Sequence, residues 1–196
     1  VVAKKFPDVY REAEGMSNEF FRRTGTNVSA DFFAAATFVY EVSHVARAGN
    51  AAELPVGPPG CTSFVTCDRQ GKMAFGRNLD WAPAEIFRGV TAAIDWKGRA
   101  SLSDVQFLPD LGTMTGVRHN GFGISINFRP EPTGLRQLLD CAAAPDSMSP
   151  LGVFVRKSLE GDSRSFEEAV DAFSRGRLCA SDRKSTRLNS SHGKLS

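Results

Sequence analysis

Gly60-Cys61-Thr62-Ser63-Phe64-Val65-Thr66-Cys67-Asp68-Arg69-Gln70-Gly71-Lys72-Met73-Ala74-Phe75-Gly76-Arg77-Asn78-Leu79-Asp80-Trp81 reads as a β-hairpin. Arg69-Gln70-Gly71 fits a three-residue loop with Gly71 in the left-handed position. That loop pairs Asp68 with Lys72, so Ser63 falls opposite Arg77 and Cys61 opposite Leu79. Paired residues share a face, and so does every second residue along a strand. Cys61, Ser63, Arg77 and Leu79 therefore project one way. Arg77 is the diagonal neighbour of Cys61, and Asp80 sits just past the strand end. A loop one residue longer would turn Arg77 to the other face.

A cation beside a thiol favours the thiolate and makes it a better nucleophile. Asp80 can accept hydrogen bonds from an amine or orient Arg77. A general base is missing nearby, since His44, His119 and His192 all lie far from the hairpin in sequence. A break of the peptide bond before Cys61 would supply one. The new α-amino group has a reference pKa of about 7.7–8.0, which suits proton shuttling. On these residues alone, a buried strand cysteine beside a surface salt bridge explains the pattern too.

Before the hairpin comes Leu54-Pro55-Val56-Gly57-Pro58-Pro59-Gly60. Such a run cannot continue a helix or sit in a central strand, so it is an exposed linker. It is either an ordinary loop or a segment that presents the Gly60-Cys61 bond for cleavage. Further upstream, residues 7–24 read as a helix with Pro7 at its first position and Gly25 after its last turn. Ser29 caps a second helix, expected to run to about Arg47, with Phe32, Phe33, Ala36, Val39 and Tyr40 as its apolar face. Asn27-Val28-Ser29 matches a glycosylation sequon, which matters only in a secreted chain.

After the hairpin, short β-like runs alternate with turn residues: 88–96, 99–108, 112–117 and 122–129. Evenly spaced strands with tight turns imply an antiparallel sheet. Helices return over about 149–160 and from Ser165-Phe166-Glu167-Glu168, a capping-box pattern, to about Arg175. Helices, sheet, then helices make an α+β layout. Residues 182–196 stand apart. Asp182-Arg183-Lys184-Ser185-Thr186-Arg187-Leu188-Asn189-Ser190-Ser191-His192 looks like one reading frame of a common sequencing adapter. That stretch is set aside from fold reasoning, and the natural chain is expected to continue differently after residue 181.

Composition bounds the rest. The 196 residues suit one domain with a sizeable core. The net charge of +2 gives no argument for nucleic acid. No apolar run approaches the roughly 20 residues of a membrane span. Without a Met or a signal-peptide pattern at its start, the chain reads as processed or cropped, and its compartment is left open. None of Cys61, Cys67, Cys141 and Cys179 forms a C-x-x-C pair, so no metal site is expected. Cys141 and Cys179 are expected as separate buried thiols.

The hairpin also carries a resemblance. Cys61-Thr62-Ser63 followed by Gly76-Arg77-Asn78-Leu79-Asp80-Trp81 resembles the opening of the acid ceramidase and N-acylethanolamine acid amidase family. These are N-terminal-nucleophile cysteine hydrolases, related to the choloylglycine hydrolases and penicillin V acylases. Gly112-Thr113-Met114-Thr115-Gly116-Val117-Arg118 and Gly121-Phe122-Gly123-Ile124-Ser125-Ile126-Asn127-Phe128-Arg129 are similar to a second family block. The resemblance covers roughly residues 7–180.

The resemblance implies an αββα-sandwich hydrolase fold, incomplete here. Residues 1–60 would be a helical propeptide with its linker, and 61–181 the first part of the catalytic domain. Cys61 would be the nucleophile, first for self-cleavage at Gly60-Cys61 and then for substrate, with its freed amine as base. Arg77 and Asp80 would orient the amine and thiol. Asn127 would donate to the oxyanion, its alternative being a strand-end turn residue. Arg118, Arg129 and Trp81 would meet substrate. Phe64, Phe75 and Phe87 could line an acyl groove with Trp81, or simply pack a core. The substrate would be an N-acyl lipid amide of ceramide or N-acylethanolamine type, met at a membrane surface. Cleavage would leave two chains paired as a heterodimer, with no cofactor. The animal compartment would be lysosomal or secretory. The alternatives are a bile-salt or penicillin-like amidase and a non-catalytic lipid-binding relative. The family places a further oxyanion Asn and a late Arg beyond residue 180, so this polypeptide alone is expected to be inactive.

Overall fold

The computed structural model describes residues 2–42, 60–71, 73–80, 91–96, 102–119, 121–127, 139–141, 143, 148–179 and 186–189. The elements run as helices, then antiparallel strands, then helices, and the α+β layout holds. Strands β1 (Gly60–Cys67) and β2 (Met73–Asp80) form a two-stranded sheet. A second sheet has the order β3 (Thr91–Trp96), β4 (Leu102–Phe107), β5 (Thr115–Arg118), β6 (Gly123–Ile126) and β7 (Thr186–Asn189), all antiparallel. β7 comes from the adapter-like tail. It pairs with β6, whose edge is otherwise free among the described residues, as an unpaired sheet edge favours.

The hairpin register is the expected one: Cys61 opposes Leu79 and Ser63 opposes Arg77. Gly71, at φ 84°, donates its N–H to the Asp68 carbonyl and closes the loop. A side chain at that φ would be strained, which is why a glycine stands there. Asp80 differs slightly from expectation. It is the last residue of β2, opposite Gly60, rather than a residue beyond the strand.

The two faces of β6 do different work. Ile124 and Ile126 are buried with Leu102, Met114 and Phe122 against α4 (Leu151–Lys157) and α5 (Phe166–Arg175). Leu151, Val155, Leu159, Ala169 and Phe173 are the helical side of that core. A π-helical turn, Ser158–Asp162, follows α4, and Gly161 at φ 139° ends it. Ser165 caps α5 by accepting from the Glu168 N–H, as the capping box requires. The opposite face of β6, at Gly123 and Ser125, with Asn127 following in the same alternation, looks toward the hairpin.

The N-terminal helices form a second core. α1 (Val2–Lys5), α2 (Pro7–Thr24) and α3 (Ala30–Ala36) bury Val2, Val9, Ala13, Phe33 and Ala34 with Leu111 and Val153. Pro7 opens α2, and Gly25 closes it at φ 72°. Polar contacts add to this docking. Arg156, 2% exposed, makes a bidentate pair with Glu12 at 2.6 and 2.7 Å, and bonds Glu160 and the Leu111 carbonyl. Lys157 pairs with Asp8 and Glu160, and Lys5 donates to the Met148 carbonyl. Glu41 is wholly buried and accepts the Leu151 N–H at 2.6 Å.

Two sequence expectations are corrected. The helix from Ser29 does not run unbroken: α3 ends at Ala36, residues 37–38 turn, and 39–42 resume as helix. The buried stripe is narrower than expected: Phe33 and Tyr40, two turns apart on one face, are buried, while Phe32 and Val39, two turns apart on the neighbouring face, are exposed. Residues 43–47 of that expected helix lie outside the described residues. Cys141 and Cys179 are not separate thiols but a disulfide. Both are buried beside Met148, where the Ser149 and Leu178 backbones bridge and bring the two distant positions together.

Candidate active site

The side chains gathered at the thiol follow from the two-residue period of three strands. On the hairpin, Cys61, Ser63, Phe75 and Arg77 share one face. On the second sheet, Thr115 of β5 and Gly123 and Ser125 of β6 share the face that meets it, and Asn127 continues that alternation. The Phe75 ring covers Gly123, where a Cβ would lie 3.5 Å from its Cδ1. The two motif blocks, distant in sequence, are thus laid face to face.

Arg77 is the centre of this contact. Its Nη2 donates to Cys61 Sγ at 3.4 Å and to the Ile126 carbonyl. Its Nη1 donates to the Met114 carbonyl at 3.0 Å and to Thr115 Oγ1 at 2.5 Å. Four of the five guanidinium N–H groups are thereby used. The fifth, on Nε, is buried with no partner among the described residues. Two carbonyls and a hydroxyl hold the cation on three sides, leaving it one direction in which to meet the half-buried sulfur. A lysine could not make this pattern, because its single nitrogen has three donors on a flexible stem.

A second polar chain runs beside the first. Ser63 Oγ donates to Asn127 Oδ1 at 2.9 Å and lies 2.8 Å from Ser125 Oγ. Ser125 is fully buried and Asn127 half-buried. Cys61 itself follows Gly60 at the start of β1.

Of the residues named from sequence, Cys61, Arg77 and Asn127 come together. Asp80 is described only by its backbone at the end of β2. Arg118 is not gathered to the thiol. It lies out of phase with Thr115 along β5, and its Nη1 donates to the Ser163 carbonyl at 2.6 Å, between the π-helical turn and α5. Trp81, Phe87 and Arg129 lie outside the described residues. Phe64 is exposed on the outer face of the hairpin. The roles of Thr115, Ser125 and the Met114 and Ile126 carbonyls had no signal in the hairpin, though all four belong to the second motif block. Among the described residues no group of three or more His, Cys, Asp or Glu could hold a metal ion. No helix there is long and apolar enough to cross a membrane.

The chain matches no protein-family model. It is 32% identical over 121 residues to the N-acylethanolamine-hydrolyzing acid amidase of Caenorhabditis elegans, covering 61% of this chain and 34% of that protein. It is 33% identical over 122 residues to the mouse enzyme of the same name, covering 61% and 33%. It spans about a third of the length of these curated relatives. A solved structure of the C. elegans acid amidase ortholog matches with TM-score 0.46 and 27% identity, over 60% of this chain and 49% of that one.

Proposed function

We propose that this chain, a relative of the N-acylethanolamine-hydrolyzing acid amidases, is the nucleophile-bearing part of a cysteine amidase acting on N-acyl lipids. The observation that carries the reading is the Arg77 guanidinium, fixed by Met114, Thr115 and Ile126 and donating to Cys61 Sγ. An arginine anchored this firmly to a thiol favours the nucleophilic over the merely buried cysteine.

The reaction has two stages. In the first, Cys61 Sγ adds to the Gly60 carbonyl carbon, the thiol proton passes to the Cys61 nitrogen, the Gly60–Cys61 C–N bond breaks, and the acyl group is left on sulfur. Water then splits this thioester and releases the residues up to Gly60, leaving Cys61 with a free α-amine. In the second, that amine takes the thiol proton as sulfur attacks the substrate amide. It returns the proton to the leaving amine, and water hydrolyses the acyl-thioester to the free acid. Arg77 and Asp80 orient the amine and thiol, and Asn127 donates to the oxyanion. Arg129 and Trp81 meet the substrate at a membrane surface.

After cleavage the segment up to Gly60 would stay bound. Its apolar helices and the Glu12–Arg156, Asp8–Lys157 and Glu41–Leu151 contacts span the cleavage point in sequence but not in space. The chain spans about a third of the length of its curated relatives, and the activity proposed is that of the whole protein.

Mass spectrometry of the full-length protein at mildly acid pH tests this. The expected result is a new N-terminus at Cys61 with hydrolysis of an N-acylethanolamine or ceramide, both abolished in Cys61→Ala. Turnover retained in Cys61→Ala would refute the assignment.

A further inference from the structure

Cys61 and Arg77 leave unexplained why a serine stands two residues after the nucleophile, facing the same way. We propose that Ser63 is a positioning residue, whose hydroxyl holds the Asn127 side-chain amide with Nδ2 turned toward the reacting carbonyl. The inference rests on the amidase reading of Cys61 and deepens it.

The donor directions follow from chemistry. Asn127 Oδ1 can only accept, so the Ser63 hydroxyl gives its one proton there, at 2.9 Å. In the 2.8 Å contact with Ser125, Ser63 Oγ is then the acceptor and the buried Ser125 hydroxyl the donor. The chain runs Ser125 to Ser63 to Asn127 and ends on Oδ1. With Oδ1 held, the planar amide presents Nδ2 on its other side.

The backbone gives a second reason for needing the side chain. Arg77 Nη2 donates to both Cys61 Sγ and the Ile126 carbonyl, so that carbonyl points to the thiol side. Across a trans peptide the Asn127 N–H points the opposite way. The donor that Asn127 can offer to an oxyanion at Cys61 is therefore its side-chain amide. A free amide can rotate by half a turn and present Oδ1 to the oxyanion instead, which would repel it. Ser63 can accept from that flipped amide only by turning its own proton to Ser125, and the buried Ser125 hydroxyl would then have no acceptor for its proton among the described residues, which disfavours the flip.

The test is steady-state turnover of an N-acyl amide by the full-length protein with Ser63→Thr, Ser63→Val, Ser63→Ala and Asn127→Ala. Threonine and valine have the same shape, and only threonine keeps the hydroxyl. Asn127→Ala should lower kcat about 10²-fold, as for loss of an oxyanion donor. Ser63→Val and Ser63→Ala should lower kcat roughly five- to tenfold with KM unchanged, the value of one neutral hydrogen bond. Ser63→Thr should keep wild-type kcat, and Ser63→Ala should cost nothing further on Asn127→Ala. Ser63→Val at wild-type kcat, or losses that multiply in the double variant, would overturn the inference while leaving the amidase reading intact. A wild-type protein that cleaves neither itself nor any N-acyl amide overturns both.

Discussion

Glu41→Gln should remove much of the pH dependence of this fold. The Glu41 carboxyl is wholly buried under the N-terminus of α4, where Oε1 accepts the Leu151 N–H at 2.6 Å. Oε2 has no partner among the described residues. Burial pushes its pKa up to about 7. The backbone N–H groups of Leu151 and Glu41 pull the other way, and the nearby Asp110 adds to the rise. Because the folded value lies above the ordinary 4.5, the folded state keeps a proton that the unfolded chain has released. The stability Glu41 contributes is therefore full below about pH 4.5. It falls as pH rises and is gone above about 7. The loss is on the order of 3 kcal/mol at full ionisation. Asp110, also pushed up to about 7 by burial and by Asp104, falls in the same direction. Glutamine keeps an oxygen for Leu151 and cannot ionise. Thermal unfolding followed by circular dichroism at pH 5 and pH 8 measures this. Glu41→Gln should match wild type at pH 5 and exceed it by roughly 5–10 °C at pH 8. If the variant loses as much between the two pH values as wild type does, the reasoning is wrong.

Two further outcomes follow from packing. Arg156→Met should cost about 2–3 kcal/mol in urea unfolding, because Glu12 and Glu160 lose their shared cation while keeping access to water. The loss should shrink in Glu12→Gln/Arg156→Met, which removes one stranded charge. Gly112→Ala should lower stability by roughly 1–3 kcal/mol. A Cβ there would sit 2.8 Å from the Gly152 carbonyl carbon, backbone against backbone, with no side chain free to move aside. An unchanged unfolding midpoint in Gly112→Ala would contradict that contact.

The hairpin was legible because its causes are local. The loop length and Gly71 set the register, and the two-residue period then put Cys61, Ser63 and Arg77 on one face. Pro7, Gly25 and Ser165 marked helix ends for the same reason: each satisfies or removes a backbone group within one turn. Where a local pattern was extended too far it failed. The apolar stripe from Phe32 to Tyr40 assumed one continuous helix with a wide buried face, but the helix is interrupted at Thr37 and Phe38 and only the Phe33–Tyr40 side is covered, leaving Phe32 and Val39 outside.

By itself the sequence determined the strand faces, the helix caps and the pairing of a thiol with an arginine, all set within about twenty residues of chain. Only the tertiary structure decided what holds Arg77. Its acceptors at Met114, Thr115 and Ile126 lie 37 to 49 residues away. Burial between two sheets, not chain neighbourhood, selects them. The same is true of Cys141 and Cys179, 38 residues apart, which no spacing rule paired. Arg118 differs, because the strand alternation that places it is itself a local pattern. Its motif grouped it with the site, but the alternation of β5 turned it to the helices, where the Ser163 carbonyl accepts it.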